Sequence, residues 1–376
     1  MREKDKESPQ RHRDRKEMKA LRTPYAALRT CLLLLLAGCV ADPVVPGTTG
    51  RDTSGEHGVI VVNEGVWFQD NASLTQYDPA TRVVVQDYFG RVNPGRRLGD
   101  LGNDIVIRKN RAYVTVTTSQ TIEVLELPSG RSLGRIILPA GSDPRSVVIV
   151  DDSTGFVTNL KDDSVVEIDL VGLVAGRRIA VGPSPEGLAA VDSLLYVANS
   201  GYGILRQEEP GAGTLSVIDM KTGVVRDTVR IGENPQSVRY LPSTGKLYVL
   251  YGLPESAGGI AELDPRTLAI SRRWPIDGTR DHIAVDSARG LLYAIGTEGL
   301  WRIETASASA SPTLVLASAA YTTIGFYSIG VGPLGELYIG YTRGFTIPGT
   351  ALVVDRNGSI LTEFPTGLNP GAFGFY

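Results

Sequence analysis

Tyr196-Val-Ala-Asn199 reads as a short strand, and near-copies of it punctuate the chain. They are Ile60-Val-Val-Asn63, Tyr113-Val-Thr-Val116, Phe156-Val-Thr-Asn159, Tyr248-Val-Leu-Tyr251, Tyr293-Ala-Ile-Gly296 and Tyr338-Ile-Gly-Tyr341. The spacings between successive copies are 53, 43, 40, 52, 45 and 45 residues. A period near 45 residues with four strands per repeat is that of propeller blades.

Each repeat has one internal order. A turn leads into a first strand, as in Asp143-Pro-Arg-Ser-Val-Val148, Ser184-Pro-Glu-Gly-Leu-Ala189 and Asn234-Pro-Gln-Ser-Val-Arg239. The Tyr-Val strand follows, then a third strand ending at an acidic turn (Asp78, Asp169, Asp219, Asp264, Asp355), then a fourth. Strands that are short, rich in Val, Ile and Tyr, and bounded by Gly, Pro, Asn and Asp predict an all-β fold. Helical periodicity is nearly absent. The body starts at Gly58 on a second strand and finishes at Gly367–Tyr376 on a first strand. Pairing these ends would close a seven-bladed β-propeller over residues 58–376 and remove two open sheet edges.

Composition narrows the function. Of 376 residues 42% are hydrophobic, enough for a large core, so disorder is excluded for most of the chain. A net charge of −3 argues against a nucleic-acid partner. Two cysteines, both before residue 40, exclude a disulfide scaffold, and three histidines leave little for a His-based metal or nucleophile site. No metal, no cofactor and no enzymatic activity are therefore expected.

The N-terminus reads as an address. Residues 1–30 are polar and basic, Cys31–Leu36 is a short apolar run, and Ala37-Gly38-Cys39 follows. The run is too short to span a bilayer, for which about 20 residues are needed, and the order of regions is that of a secretory signal. Leu36-Ala-Gly-Cys39 resembles the bacterial lipobox, which implies cleavage before Cys39, lipidation of its thiol and a signal over residues 1–38. Met18-Lys19 opens a signal of ordinary length, so residues 1–17 are read as an over-extended start. Processing would leave 28 Lys and Arg against 36 Asp and Glu, a charge of −8. Val40 and Ala41 lack the Asp that retains many lipoproteins in the inner membrane, so the resemblance implies an outer-membrane location, on the cell surface or the periplasmic side. Residues 39–57, rich in Pro, Gly, Thr and Ser, read as a flexible lipidated tether.

With its seven Tyr-Val-x-Asn strands, the body resembles the YVTN-repeat, YncE-like propellers. Val62-Asn-Glu-Gly65, Leu74-Thr-Gln-Tyr-Asp-Pro79, Arg97-Leu-Gly-Asp100, Asn103-Asp-Ile105 and Asn369-Pro-Gly-Ala-Phe373 are similar to segments of lipid-anchored surface propellers. These include the corrinoid-capturing lipoproteins of gut Bacteroidetes. The resemblance implies a monomeric surface lipoprotein that takes cobalamin or another small ligand and passes it to a TonB-dependent transporter.

The strand order places the loops between second and third strands on the same face as the turns entering the first strands. Those loops carry the extra residues: Glu64–Ser73, Ser200–Gly213, Gly252–Gly259 and Thr342–Gly349. Long loops on a rigid scaffold are candidate binding elements. The candidate ligand-binding residues are Trp67, Phe68, Gln69, Arg97, Arg145, Tyr202, Arg206, Gln207, Tyr251, Tyr341, Arg343 and Phe345. Aromatic platforms with amide and guanidinium donors suit a planar, amide-decorated ligand or a sugar. The recurrent tyrosines are expected to pack between blades, the turn aspartates to cap their own backbone, and His282 to lie near a turn. Two further readings stand: an adhesion or scaffold module for protein or polysaccharide, and a propeller enzyme of the lactonase, lyase or quinoprotein kind.

Overall fold

The computed structural model describes residues 58–376, apart from 254–256, 308 and 322–324. The expected signal, the Cys39 lipidation site and the tether lie outside the described residues. What is described is an all-β propeller of seven four-stranded antiparallel sheets. Six blades take their strands consecutively from the chain. The first combines Val59–Asn63, Ser73–Tyr77 and Val84–Val85 with Pro370–Phe375, the last strand in chain order. Val59, Ile60 and Val61 pair with Phe375, Gly374 and Phe373, and Gly58 and Tyr376 exchange both backbone hydrogen bonds at 2.8 and 3.0 Å. The expected closure is thus present, and the strand that completes blade 1 covers an edge that would otherwise be open.

The innermost strands of blades 2 to 7 are Gly102–Arg108, Pro144–Ile149, Pro185–Val191, Ser237–Leu241, Arg280–Asp286 and Gly325–Val331. With Pro370–Phe375 they touch neighbour to neighbour in a closed ring around a central channel. Every second strand is buried along nearly its whole length, whereas the outermost strands alternate, as in Val174–Ala180.

The two-residue period of a strand divides each blade between its neighbours. On Leu194–Asn199, Leu195 and Val197 pack toward blade 3 with Phe156 and Val165, while Tyr196 and Ala198 pack toward blade 5 with Val238 and Leu247. The same division repeats round the ring, so the apolar clusters lie between adjacent blades. The recurrent ring serves that packing: Tyr113, Phe156, Tyr196, Tyr248, Tyr293 and Tyr338 are all at most 3% exposed. Burying an aromatic of this size contributes about 1.5–3 kcal/mol of transfer free energy.

Two irregular spacings have local causes. The 53-residue gap accommodates a short helix, Tyr88–Val92, that follows the two-residue outer strand of blade 1 and buries Phe89. The 52-residue gap accommodates the loop after Asn199.

Candidate functional site

The last residue of the Tyr-Val-x-Asn strand is the hinge between scaffold and loop. Asn63 donates to Ser73 Oγ (3.1 Å) and Thr75 Oγ1 (3.0 Å), and Asn199 to Thr214 Oγ1 (2.8 Å) and Ser216 Oγ (2.9 Å). Both asparagines are fully buried. Each therefore ties its second strand to the third at the base of the intervening loop, leaving the loop itself free to vary.

A second kind of asparagine then locks loops of different blades together. Asn369 sits at φ 56°, a left-handed conformation that asparagine tolerates better than most residues. It donates to Gly65 O (2.8 Å) and Phe345 O (3.1 Å) and accepts from Thr342 Oγ1 (3.1 Å), joining the loops of blades 1 and 7. Asn234, at φ 47°, accepts from Gly203 N (3.1 Å) and donates to Gly252 O (2.9 Å), which fixes the blade 4 loop.

Those three loops surround a cleft of about 470 Å³, lined by Trp67, Tyr202, Phe345, Arg145 and Asp143 among others. Trp67 stacks on Phe68 with centroids 5.7 Å apart, and Phe345 meets Tyr327 edge-on at 6.5 Å. Beneath the aromatics, Glu64, Arg145 and Tyr327 are shared with a narrower polar cavity of about 140 Å³ that also includes Asn103, Glu186, Gln236 and His282. Tyr327 Oη donates to Glu64 Oε2 (2.7 Å), and Arg145 pairs with Glu186 (3.5 Å) and donates to Asn103 Oδ1. A Cβ on Gly371 would collide with the Glu64 carboxylate, so that glycine makes the room into which Glu64 folds. Burial raises the Asp143 carboxyl above its ordinary value, with Lys161 and Arg145 pulling the other way.

Of the residues expected to bind ligand, the structure brings Trp67, Arg145, Tyr202 and Phe345 together around the cleft. Phe68 and Gln69 stand exposed on the rim beside Trp67. Arg97 is exposed and paired with Asp70 at 3.1 Å. Gln207 braces its own loop, and Arg206 ties that loop to blade 3. Arg206 holds Asp163 through two 2.7 Å contacts and Glu209 through two more, and the Gln207 amide donates to Ser200 O and Gly203 O. Burial alone would raise Asp163, but the bonds from Arg206 and Ser184 N override it and hold the carboxyl below its usual range. Tyr251 lies under the Arg273 guanidinium at 4.9 Å, and Tyr341 is buried against Tyr321 with exposed Arg343 at 5.9 Å from its ring.

Glu64, Tyr327, Glu186, Gln236, Asn103 and His282 were not singled out from the sequence as lining residues. The signal was nevertheless present: Arg145, Glu186 and Gln236 each follow the proline that opens a first strand. Reading the repeat by columns would have found that layer. His282 lies within the first strand of blade 6, not at a turn. Among the described residues no group of three or more His, Cys, Asp or Glu is placed to hold a metal ion. Asp152 is engaged by Arg108 and Lys109, and Asp162 by Arg178.

No known protein family and no curated protein matches the chain. Solved structures do match in shape. One is a quinoprotein alcohol dehydrogenase-like protein from Bacteroides thetaiotaomicron, with 14% identity, a TM-score of 0.63, and 82% of this chain and 76% of that one covered. A second is a candidate 6-phosphogluconolactonase from Bacteroides uniformis, with 12% identity, a TM-score of 0.63, and 85% and 99% covered. A third is a protein from Lactobacillus plantarum, with 11% identity, a TM-score of 0.63, and 86% and 100% covered. At these identities the likeness is one of fold, the seven-bladed propeller, and propellers host many unrelated activities.

Proposed function

We propose that this protein is a non-enzymatic, lipid-tethered surface propeller that captures a small ligand in the cleft between the blade 1, 4 and 7 loops. The carrying observation is convergence: Trp67, Tyr202 and Phe345 come from three distant segments and wall one cleft over a polar floor of Glu64, Arg145 and Tyr327. Such a site stacks a planar body and bonds its amide or hydroxyl groups. The corrinoid ligand and the hand-over to a TonB-dependent transporter belong to this reading as its first test case. A corrinoid would lie across the exposed aromatics at the rim, with its amide groups toward the floor.

Val59 pairs with Tyr77, next to the Asp78 turn, so the described chain enters the propeller at the end opposite the cleft. Calorimetry with cyanocobalamin and a panel of amide-bearing and sugar ligands tests the capture reading. A saturable heat that falls in Trp67→Ala supports it, and its absence across the panel removes it. Release of the Cys39→Ser protein from membranes tests the anchor, and continued detergent-dependent fractionation would refute it.

One observation favours an enzyme as the second reading. Glu64, Glu186, Arg145, His282 and Tyr327 meet in the small cavity at the channel mouth, which supplies carboxylates, a cation and a titratable imidazole within one volume. Turnover of aliphatic lactones that is lost in Glu64→Gln or Glu186→Gln would establish it.

A further inference from the structure

Below the mouth the channel widens again into a cavity of about 420 Å³, open toward solvent. One layer of the inner ring, of which Val106, Val148, Ala189 and Arg239 line this cavity, is defined by strand register. In every blade one first-strand residue pairs with the recurrent second-strand position: Val106 with Tyr113, Val148 with Phe156, Ala189 with Tyr196, Ala284 with Tyr293, Gly330 with Tyr338, and Gly374 with Ile60. Six blades thus place a small apolar residue or glycine there. Blade 5 places Arg239, opposite Tyr248.

A guanidinium carries five N–H donors and stays charged at any working pH. Arg239 makes one protein hydrogen bond, from Nη1 to Val238 O at 3.0 Å, and among the described residues no carboxylate lies within ion-pair distance of it. Asp104, across the same cavity, acts on it as a charge only. The Asp104 oxygens are taken by Ile105 N (2.8 Å) and Val147 N (3.1 Å). Withdrawal from water pulls the Arg239 pKa below its ordinary value, with Asp104 opposing. A confined cation with open donors favours an oxyanion.

The neighbouring layer sets the rest of the ligand. Ile105, Val147, Leu188, Val238, Ile329 and Phe373 line the cavity with aliphatic and aromatic surface. An inorganic dianion would find one permanent cation, a facing carboxylate and, beside the His282 imidazole, few donors. A monocarboxylate with an apolar body satisfies both layers at once. We propose that the lower channel is a second binding site, independent of the cleft, which takes a small monocarboxylate with its head on Arg239 and its body against this apolar wall.

Saturation-transfer NMR on the full chain tests it with benzoate, its neutral isostere benzamide, and inorganic phosphate as competitor. Benzoate should give saturable transfer to its ring protons, benzamide none, and phosphate should displace benzoate poorly. Arg239→Met should weaken benzoate about tenfold or more while Arg239→Lys retains part of the binding. Trp67→Ala should leave benzoate untouched, which separates this site from the cleft. Equal transfer to benzamide, no transfer to benzoate, unchanged affinity in Arg239→Met or efficient displacement by phosphate would each overturn the proposal. The benzoate–benzamide pair needs only the unaltered protein, so a variant that fails to fold does not remove the test.

Discussion

Where third strands turn into fourth strands, Asp78, Asp169, Asp219, Asp264 and Asp355 each close a short hairpin with their own side chains. Asp78 accepts from Ala80 N (2.8 Å), Asp169 from Val171 N (2.8 Å), Asp219 from Thr222 N (2.8 Å), Asp264 from Arg266 N (2.9 Å) and Asp355 from Asn357 N (2.8 Å). At the opposite end the same blades carry loops of unlike length, held not by their own turns but by asparagines and an arginine that reach between segments. One end repeats a local solution to chain reversal; the other departs from it blade by blade. Local capping needs no partner and leaves no cavity. Bonding between loops creates a concave surface whose walls come from different blades, and there the described residues gather exposed aromatics above buried polar groups.

The contrast is sharpest in binding. Truncating Trp67 or Phe345 to Ala should weaken a cleft ligand by about 1–2 kcal/mol each, roughly tenfold, with Tm nearly unchanged, read by calorimetry beside a thermal melt. Loss of fold in either variant would mean the rings are scaffold and would break the comparison. A smaller effect belongs to Arg206→Ala. Its partly exposed pairs with Asp163 and Glu209 are screened by solvent, and their loss should speed proteolytic nicking within 200–213. Unchanged nicking would show that the loop holds itself.

The smallest effects have opposite sign at the two ends. Lys246 and the backbone N–H groups of Thr267 and Arg266 hold Asp264 well below the usual carboxylate range. Its contribution is therefore present above the unfolded Asp value near about 3.9 and is lost as pH falls through the lower folded value. Asp264→Asn should melt slightly lower at pH 7, with the deficit shrinking in acid. Asp143, raised by burial, contributes below the unfolded value and loses that contribution as pH rises through its folded one. Asp143→Asn should be neutral or slightly stabilising at pH 7 and lose that advantage in acid. Melts across this pH range that run in parallel for the two variants would erase the distinction.

Much of this was legible in the sequence because repetition is legible. The blade count, the ring closure, the buried tyrosines and the self-capping aspartates all follow from periodic residues with one local role. The cleft was only half legible. Trp67, Tyr202 and Phe345 were found because loop length and aromatic content are visible in the chain. Arg206 and Gln207 were expected to face a ligand, yet they are consumed by Glu209, Ser200 and Gly203 of their own loop and by Asp163 of blade 3, partners whose proximity depends on how the loop folds back and on which blade it reaches. Glu64 escaped notice because its place is created by Gly371, a residue distant in sequence that supplies only the absence of a side chain.

Closure also bears on how the ring comes into being. The strand that covers Val59–Asn63 follows every other described strand in chain order, so a growing chain can stack blades 2 to 7 while its first blade still lacks its inner member. Until Pro370–Phe375 emerges, Val59–Asn63 has a naked edge, free to pair with a neighbouring polypeptide. Synthesis and ring formation are thereby coupled: a prematurely terminated product is left as an open arc, recognisable by that edge to a chaperone or a protease.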